Sequence, residues 1–140
     1  VLTFGALVHG GVIDRFPRLK VCLLHGGGYV AFGVARMDKG WEAAKLDYMA
    51  KYSAEESRQS IPRPPSRYVG SFYYDCATFS ESTLRFLIDT VGIDRVVFGT
   101  DYPCPMEMVD SVNWINSLGS LTHSEKQAIL SMNPAQMLGI

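Results

Sequence analysis

Val96-Val97-Phe98-Gly99-Thr100-Asp101-Tyr102-Pro103 reads as a short, wholly apolar strand. It breaks at a glycine and carries an aspartate to its C-terminal tip. A second apolar run, Val21-Cys22-Leu23-Leu24, ends on His25 and is followed by Gly26-Gly27-Gly28. Apolar runs without alternation suit strands buried on both faces, as in a parallel sheet, and in α/β barrels the C-terminal strand tips hold the chemistry. One histidine and one aspartate on two such tips are two corners of a candidate metal site.

Outward from these strands the chain alternates. Residues from about Val1 to Phe16 carry apolar side chains at helical spacing, weakened at Gly10 and Gly11 and stopped by Pro17. A helix is expected from about Tyr29 through Trp41, extending toward Lys51. The stretch Ser57 to Gly70 holds Pro62, Pro64 and Pro65 and reads as loop. Phe72 to Cys76, rich in aromatics, is the middle strand. Ser80 is a fitting N-cap for a helix with Leu84, Leu87, Ile88 and Val91 on one stripe, closed by Gly92. After the strand that begins at Arg95, a helix is expected near Met108 to Leu118 with a stop at Gly119. Another runs from a Thr122 or Ser124 cap to Met132, and Asn133-Pro134 starts a last turn with Met137 and Leu138. Helix and strand in alternation imply βαβ units and a parallel sheet. Three strands cannot close a barrel that takes about 250 residues. The expectation over 1–140 is therefore one partial domain or a small open sheet.

Bulk properties narrow the class of function. The 140 residues are 47% hydrophobic and 19% charged, with a formal net charge of -1. Nothing there provides the clustered Lys and Arg of a nucleic-acid or anionic-membrane surface, and no apolar run reaches membrane-spanning length. Cys22, Cys76 and Cys104 are widely spaced with no CxxC, the pattern of reduced thiols in a cytoplasmic protein. The chain opens on Val1 rather than Met with no signal-peptide pattern, and is expected to be a piece of something longer.

Each candidate residue has two readings. His25 is either a buried histidine hydrogen-bonded at a strand end or a functional group beside glycines that admit a ligand closely. Asp101 caps the following helix, or it holds a cation, since a bare carboxylate after an apolar strand is costly unless paired. Arg36, eleven residues beyond His25, is a solvated helix arginine or a bidentate clamp for a substrate carboxylate. Asp75 reaches the same mouth or orders the turn through Cys76-Ala77-Thr78. His9 belongs to a helix surface, and His123 to a capping region.

Four segments occur in order: Gly11-Val12-Ile13-Asp14-Arg15-Phe16-Pro17-Arg18-Leu19-Lys20-Val21, Leu24-His25-Gly26-Gly27-Gly28, Phe98-Gly99-Thr100-Asp101-Tyr102-Pro103, and Asn133-Pro134-Ala135-Gln136-Met137-Leu138-Gly139. Together they resemble the C-terminal portion of the amidohydrolase-related metal-dependent hydrolases and decarboxylases, in particular the 2-amino-3-carboxymuconate-6-semialdehyde decarboxylase branch. The weakest stretch of the likeness is Lys39 to Gly70. The resemblance implies strands six to eight of a distorted (β/α)8 TIM-type barrel with one divalent metal, usually zinc (Zn2+), at its C-terminal mouth. By motif, Asp101 matches the strand-eight aspartate that binds the metal, and His25 matches the strand-six histidine that works beside it on water or substrate. Arg36 matches an arginine that, in family dimers, reaches into the neighbouring subunit's site to grip a substrate carboxylate.

The departures are equally specific. The family's first strand supplies an His-x-His pair and its fifth another metal histidine, and this sequence has neither. A tight divalent site needs about three or four protein ligands, so the lone chain is expected to bind metal weakly and turn over little. The reaction implied for the intact parent is non-oxidative decarboxylation of an aromatic or enol-type carboxylic acid, acting as a homo-oligomer or with the N-terminal barrel half. Metal-dependent hydrolysis is the first alternative. An inactive fragment or association module, with an unpaired strand edge exposed, is the second.

Overall fold

The computed structural model describes residues 2–43 and 61–140. Three short strands, β1 (Cys22–Leu23), β2 (Tyr73–Asp75) and β3 (Val96–Val97), form one parallel sheet in the order β1-β2-β3. Cys22 pairs with Tyr73 and Leu23 with Tyr74, and Tyr74 then pairs with Val96 and Asp75 with Val97. The hydrogen bonds Tyr73 N–H to Val21 O (2.8 Å) and Cys76 N–H to Val97 O (3.0 Å) extend the ladder by a residue at each end. The fold is thus α/β with a parallel sheet, and all three tips point the same way. The central strand is buried throughout, flanked by a strand on each side.

Helix α1 (Leu2–His9) breaks where the glycines weaken the pattern. Gly11 takes a left-handed φ of 65°, and a separate short helix, α2 (Val12–Arg15), follows. Asp14 ties α2 to the segment before β2: its carboxylate accepts the Tyr68 hydroxyl at 2.6 Å and the Arg63 guanidinium at 3.0 Å. Helix α3 spans Val30–Ala43. Its expected continuation toward Lys51, and the start of the expected Ser57 to Gly70 loop, lie outside the described residues. Within that predicted loop, Pro65–Ser71 is a 3-10 stretch that buries Tyr68.

Helix α4 (Glu81–Val91) behaves as its sequence dictates. The Ser80 side chain accepts Thr83 N–H, Leu84, Leu87, Ile88 and Val91 are all buried, and Gly92 ends it at φ 93°. The next expected helix is shorter than its apolar pattern, α5 running only over Ser111–Ser117. Thr122, not Ser124, caps α6 (His123–Gln127) in a reciprocal box with Glu125. Ala128–Met132 then widens into a π-turn before α7 (Asn133–Leu138). Pro134 has no N–H to return to the carbonyl four residues earlier, which favours that wider spacing.

The last helix is anchored by two side chains of the motif segments. The buried Asn133 amide donates to Ile93 O and Val96 O, both at 2.7 Å. Lys20 Nζ donates to Gln136 O (3.0 Å) and Met137 O (2.8 Å), satisfying carbonyls that a helix end leaves open. The core gathers Phe4, Val8, Val30, Tyr68, Phe72, Tyr74, Leu84, Ile115 and Ile129 around the sheet, with Phe4 and Phe72 rings 5.1 Å apart. Burying each such side chain contributes roughly 1.5–3 kcal/mol.

Candidate active site at the strand tips

His25 leaves the tip of β1 and Asp101 follows the tip of β3, and the parallel sheet brings them together. His25 Nε2 and Asp101 Oδ1 lie 3.2 Å apart, with side chains 59% and 18% exposed. His25 is therefore not the buried histidine of the first reading. Asp101 does not cap a helix either: its carboxylate faces His25, and α5 begins only at Ser111.

The pair depends on a sharp local backbone. His25, Gly26, Gly27 and Gly28 take positive φ in succession (57°, 59°, 74° and 60°). Of these three glycines only Gly28 has open space around it. Gly26 and Gly27 are packed instead. A Cβ on Gly27 would lie 2.7 Å from the Tyr74 ring, and one on Gly26 would lie 2.9 Å from Thr78 Cγ2.

Asp75 holds this turn in place. Its carboxylate, 5% exposed at the end of the central strand, accepts three backbone N–H groups. They come from His25 to Oδ2 at 2.9 Å, and from Gly26 (2.9 Å) and Ala77 (3.1 Å) to Oδ1. Of the two readings of Asp75, the structure shows turn ordering, extended to the neighbouring strand tip. Gly99 lies against it so closely that a Cβ there would sit 2.8 Å from Asp75 Cβ. Asp75 therefore wedges between the two tips that carry His25 and Asp101.

Three non-glycine residues among those described have left-handed backbone: His25, Phe79 (φ 56°) and Asp101 (φ 61°). Each such conformation costs about 1–2 kcal/mol, and strain of this kind gathers at functional sites. All three line one cleft of about 760 Å³, together with Gly28, Phe32 and Phe86. The cleft is mainly apolar with few polar groups, the character of a small-molecule site. Sequence reasoning missed Phe79, because nothing in a phenylalanine signals a positive φ.

Arg36 is exposed on α3 and outside the residues lining this cleft. The chain brings His25 and Asp101 together but does not bring Arg36 to them. Burial above all, with the charge of Asp75 adding to it, pushes the Cys22 thiol up to about 11, and burial does the same for Cys76. Both stay protonated near neutrality and offer neither a nucleophile nor a thiolate ligand.

No group of three or more His, Cys, Asp or Glu placed to hold a metal ion occurs among the described residues. The imidazole nitrogen and carboxylate oxygen that do converge are good donors for a divalent ion. They fit as part of such a site. No helix among the described residues is long and apolar enough to cross a membrane.

Comparison with known proteins gives a consistent result. The 2-amino-3-carboxymuconate-6-semialdehyde decarboxylase of Dictyostelium discoideum is 32% identical over 139 residues, which cover 99% of this chain and 36% of that protein. The chain thus spans about a third of the length of that relative. Among solved structures, 2,6-dihydroxybenzoate decarboxylase from Rhizobium superposes with a TM-score of 0.80 at 25% identity, covering 99% of this chain and 40% of the other. Dihydroxybenzoic acid decarboxylase from Polaromonas sp. JS666, solved with bound manganese and the inhibitor 2-nitroresorcinol, gives 0.77 at 23% identity, with 99% and 39% covered. These neighbours are TIM-barrel decarboxylases of which this chain matches about two-fifths. The family model for amidohydrolases matches residues 3–140, and the chain belongs to the amidohydrolase family.

Proposed function

We propose that this chain carries one side of the active site of a metal-dependent carboxy-lyase, which removes CO2 without redox change from a small aromatic or enol-type carboxylic acid. The observation that carries this reading is the His25–Asp101 pair, 3.2 Å apart on two parallel strand tips at the wall of an apolar cleft. The decarboxylases among its relatives support it. In the same reading β1 to β3 are about strands six to eight of the barrel. The remaining ligands lie on strands beyond this chain.

Asp101 would hold the metal with those ligands, and His25 would stand beside it. A divalent ion in such a place, when bound, supplies Lewis acidity that orients substrate oxygens and stabilises developing negative charge. The class is a divalent metal; zinc follows from the resemblance, and the Polaromonas enzyme holds manganese. Decarboxylation breaks the bond between the substrate carbon and its carboxylate, leaves the electron pair on that carbon and adds a proton there. His25 would hold and deliver such a proton from its imidazole, with Asp101 fixing the ring. Asp75 keeps the His25 backbone in its left-handed turn. Arg36 would grip a substrate carboxylate across a subunit boundary in an oligomer, through its bidentate guanidinium.

The test is CO2 release by the full-length protein from dihydroxybenzoates and from 2-amino-3-carboxymuconate-6-semialdehyde, after reconstitution with Zn2+ or Mn2+ in parallel. Release that disappears in both His25→Ala and Asp101→Asn is expected. Turnover that survives both substitutions would sink the site. Ester or lactone hydrolysis with no CO2 release would move the protein to the hydrolase reading, in which the same two side chains share the proton of an attacking water.

A further inference from the structure

Phe79 sits between β2 and α4 in a backbone conformation that glycine or asparagine would occupy with less strain. Burial does not explain its presence, since the side chain is about half exposed (48%). Nor does ring packing: Phe32 pairs with Tyr29 (5.3 Å) and with Phe86 (6.5 Å), and Phe79 is in none of the ring pairs found among the described residues. It lies on the wall of the cleft that holds His25 and Asp101.

The loop that carries Phe79 is held by short-range hydrogen bonds and lies against the His25 turn. Thr78, its predecessor, donates N–H to Cys76 O (2.7 Å) and Oγ1 to Ser80 O (3.1 Å), while Ser80 caps α4. The methyl of Thr78 packs where Gly26 has no Cβ, only 2.9 Å from the position one would take. Thr78, one residue before Phe79, thus lies against the glycine that follows His25. A flat apolar ring on the wall of the cleft that His25 also lines is suited to stacking on a planar substrate.

We propose that Phe79 is a specificity-determining residue, whose ring forms the stacking wall for a planar, unsaturated carboxylate in the His25–Asp101 cleft. The inference rests on the decarboxylase reading for the place and class of the substrate, and adds the residue that selects for its planarity. The strain at Phe79 is then retained for binding and not for stability.

The experiment measures binding and stability together, on the full-length protein with metal. The probes are 2,6-dihydroxybenzoate and the saturated cyclohexanecarboxylate. Phe79→Gly should weaken 2,6-dihydroxybenzoate by about threefold to tenfold, change cyclohexanecarboxylate less than about twofold, and leave the melting temperature equal or higher because the backbone strain is relieved. Phe79→Leu keeps the strain and loses the flat face, so it should weaken the aromatic probe with no gain in melting temperature. Unchanged affinity in Phe79→Gly, equal losses for both probes, or no binding of 2,6-dihydroxybenzoate to the wild type would overturn the inference. So would a lowered melting temperature with unchanged binding, which places Phe79 in packing. His25→Ala separates this from the underlying reading: retained turnover fails the chemistry while Phe79-dependent binding still supports the wall, and lost turnover with Phe79-independent binding does the reverse.

Discussion

The backbone N–H of His25 donates to the Asp75 carboxylate at 2.9 Å, across fifty positions of sequence and from one strand tip to the next. That bond, with those from Gly26 and Ala77 to the same carboxylate, sets the direction in which the imidazole leaves the sheet.

Asp75→Asn keeps the size of the side chain but exchanges one acceptor oxygen for a donor. One backbone N–H is then left facing another donor in a buried place. The expected loss is about 2 kcal/mol, read as a lower urea midpoint with an unchanged slope. Equal midpoints would show that the clamp is dispensable.

Gly27→Ala and Gly28→Ala separate packing from backbone strain. Both positions are left-handed, but only Gly27 lies against the Tyr74 ring. Gly28→Ala, at φ 60° and ψ -120°, should cost about 2 kcal/mol for conformation alone. Gly27→Ala adds overpacking and should cost about 3 kcal/mol. Comparative denaturation of the pair checks the order, and a reversed order would contradict the packing of Tyr74.

Asn133 donates two hydrogen bonds to main-chain carbonyls, one of them from β3. Asn133→Ala removes both bonds: Ile93 O keeps the Val96 N–H, but the buried Val96 O loses its Asn133 donor, for about 2 kcal/mol. Asn133→Asp puts acceptors or a charge against those carbonyls and should be worse, by thermal melts at pH 7. If the aspartate variant melts with the wild type, the anchoring of α7 is misassigned.

The thiols report burial. Cys104 is exposed, and Cys22 and Cys76 have their thiols pushed up to about 11. At pH 8 about one buried thiol in a thousand is ionised, so iodoacetamide should label Cys104 first and Cys76 only after unfolding. Because the folded state holds these two protons more tightly than the ordinary thiol value of 9.0, their contribution is intact below about pH 9. It is lost as pH rises toward about 11. A melting temperature flat across that window would argue against burial of both.

Much of the architecture is legible locally. The Ser80 cap, the stripe from Leu84 to Val91 and the Gly92 stop act over a few residues, and the helix follows. Val96-Val97 and Cys22-Leu23 read as buried strands because nothing polar interrupts them. The motif segments are legible too, but their roles are not. Asp14, Lys20 and Asn133 serve as anchors between distant segments, at the starts of the strands and away from the tips that carry His25 and Asp101.

The sequence by itself determined the element order, the parallel sheet, the family and the two tip residues, since each follows from short-range periodicity or from a contiguous motif. Tertiary structure alone decided that His25 and Asp101 face each other and that Asp75 is a clamp. It also decided that Phe79 is strained into the cleft and that Arg36 stays outside it. Those facts depend on strand register and on where hydrogen bonds and Cβ atoms fall across fifty or more residues. No local pattern encodes such distances, because parallel strands are joined through long connections whose geometry only the packed core sets.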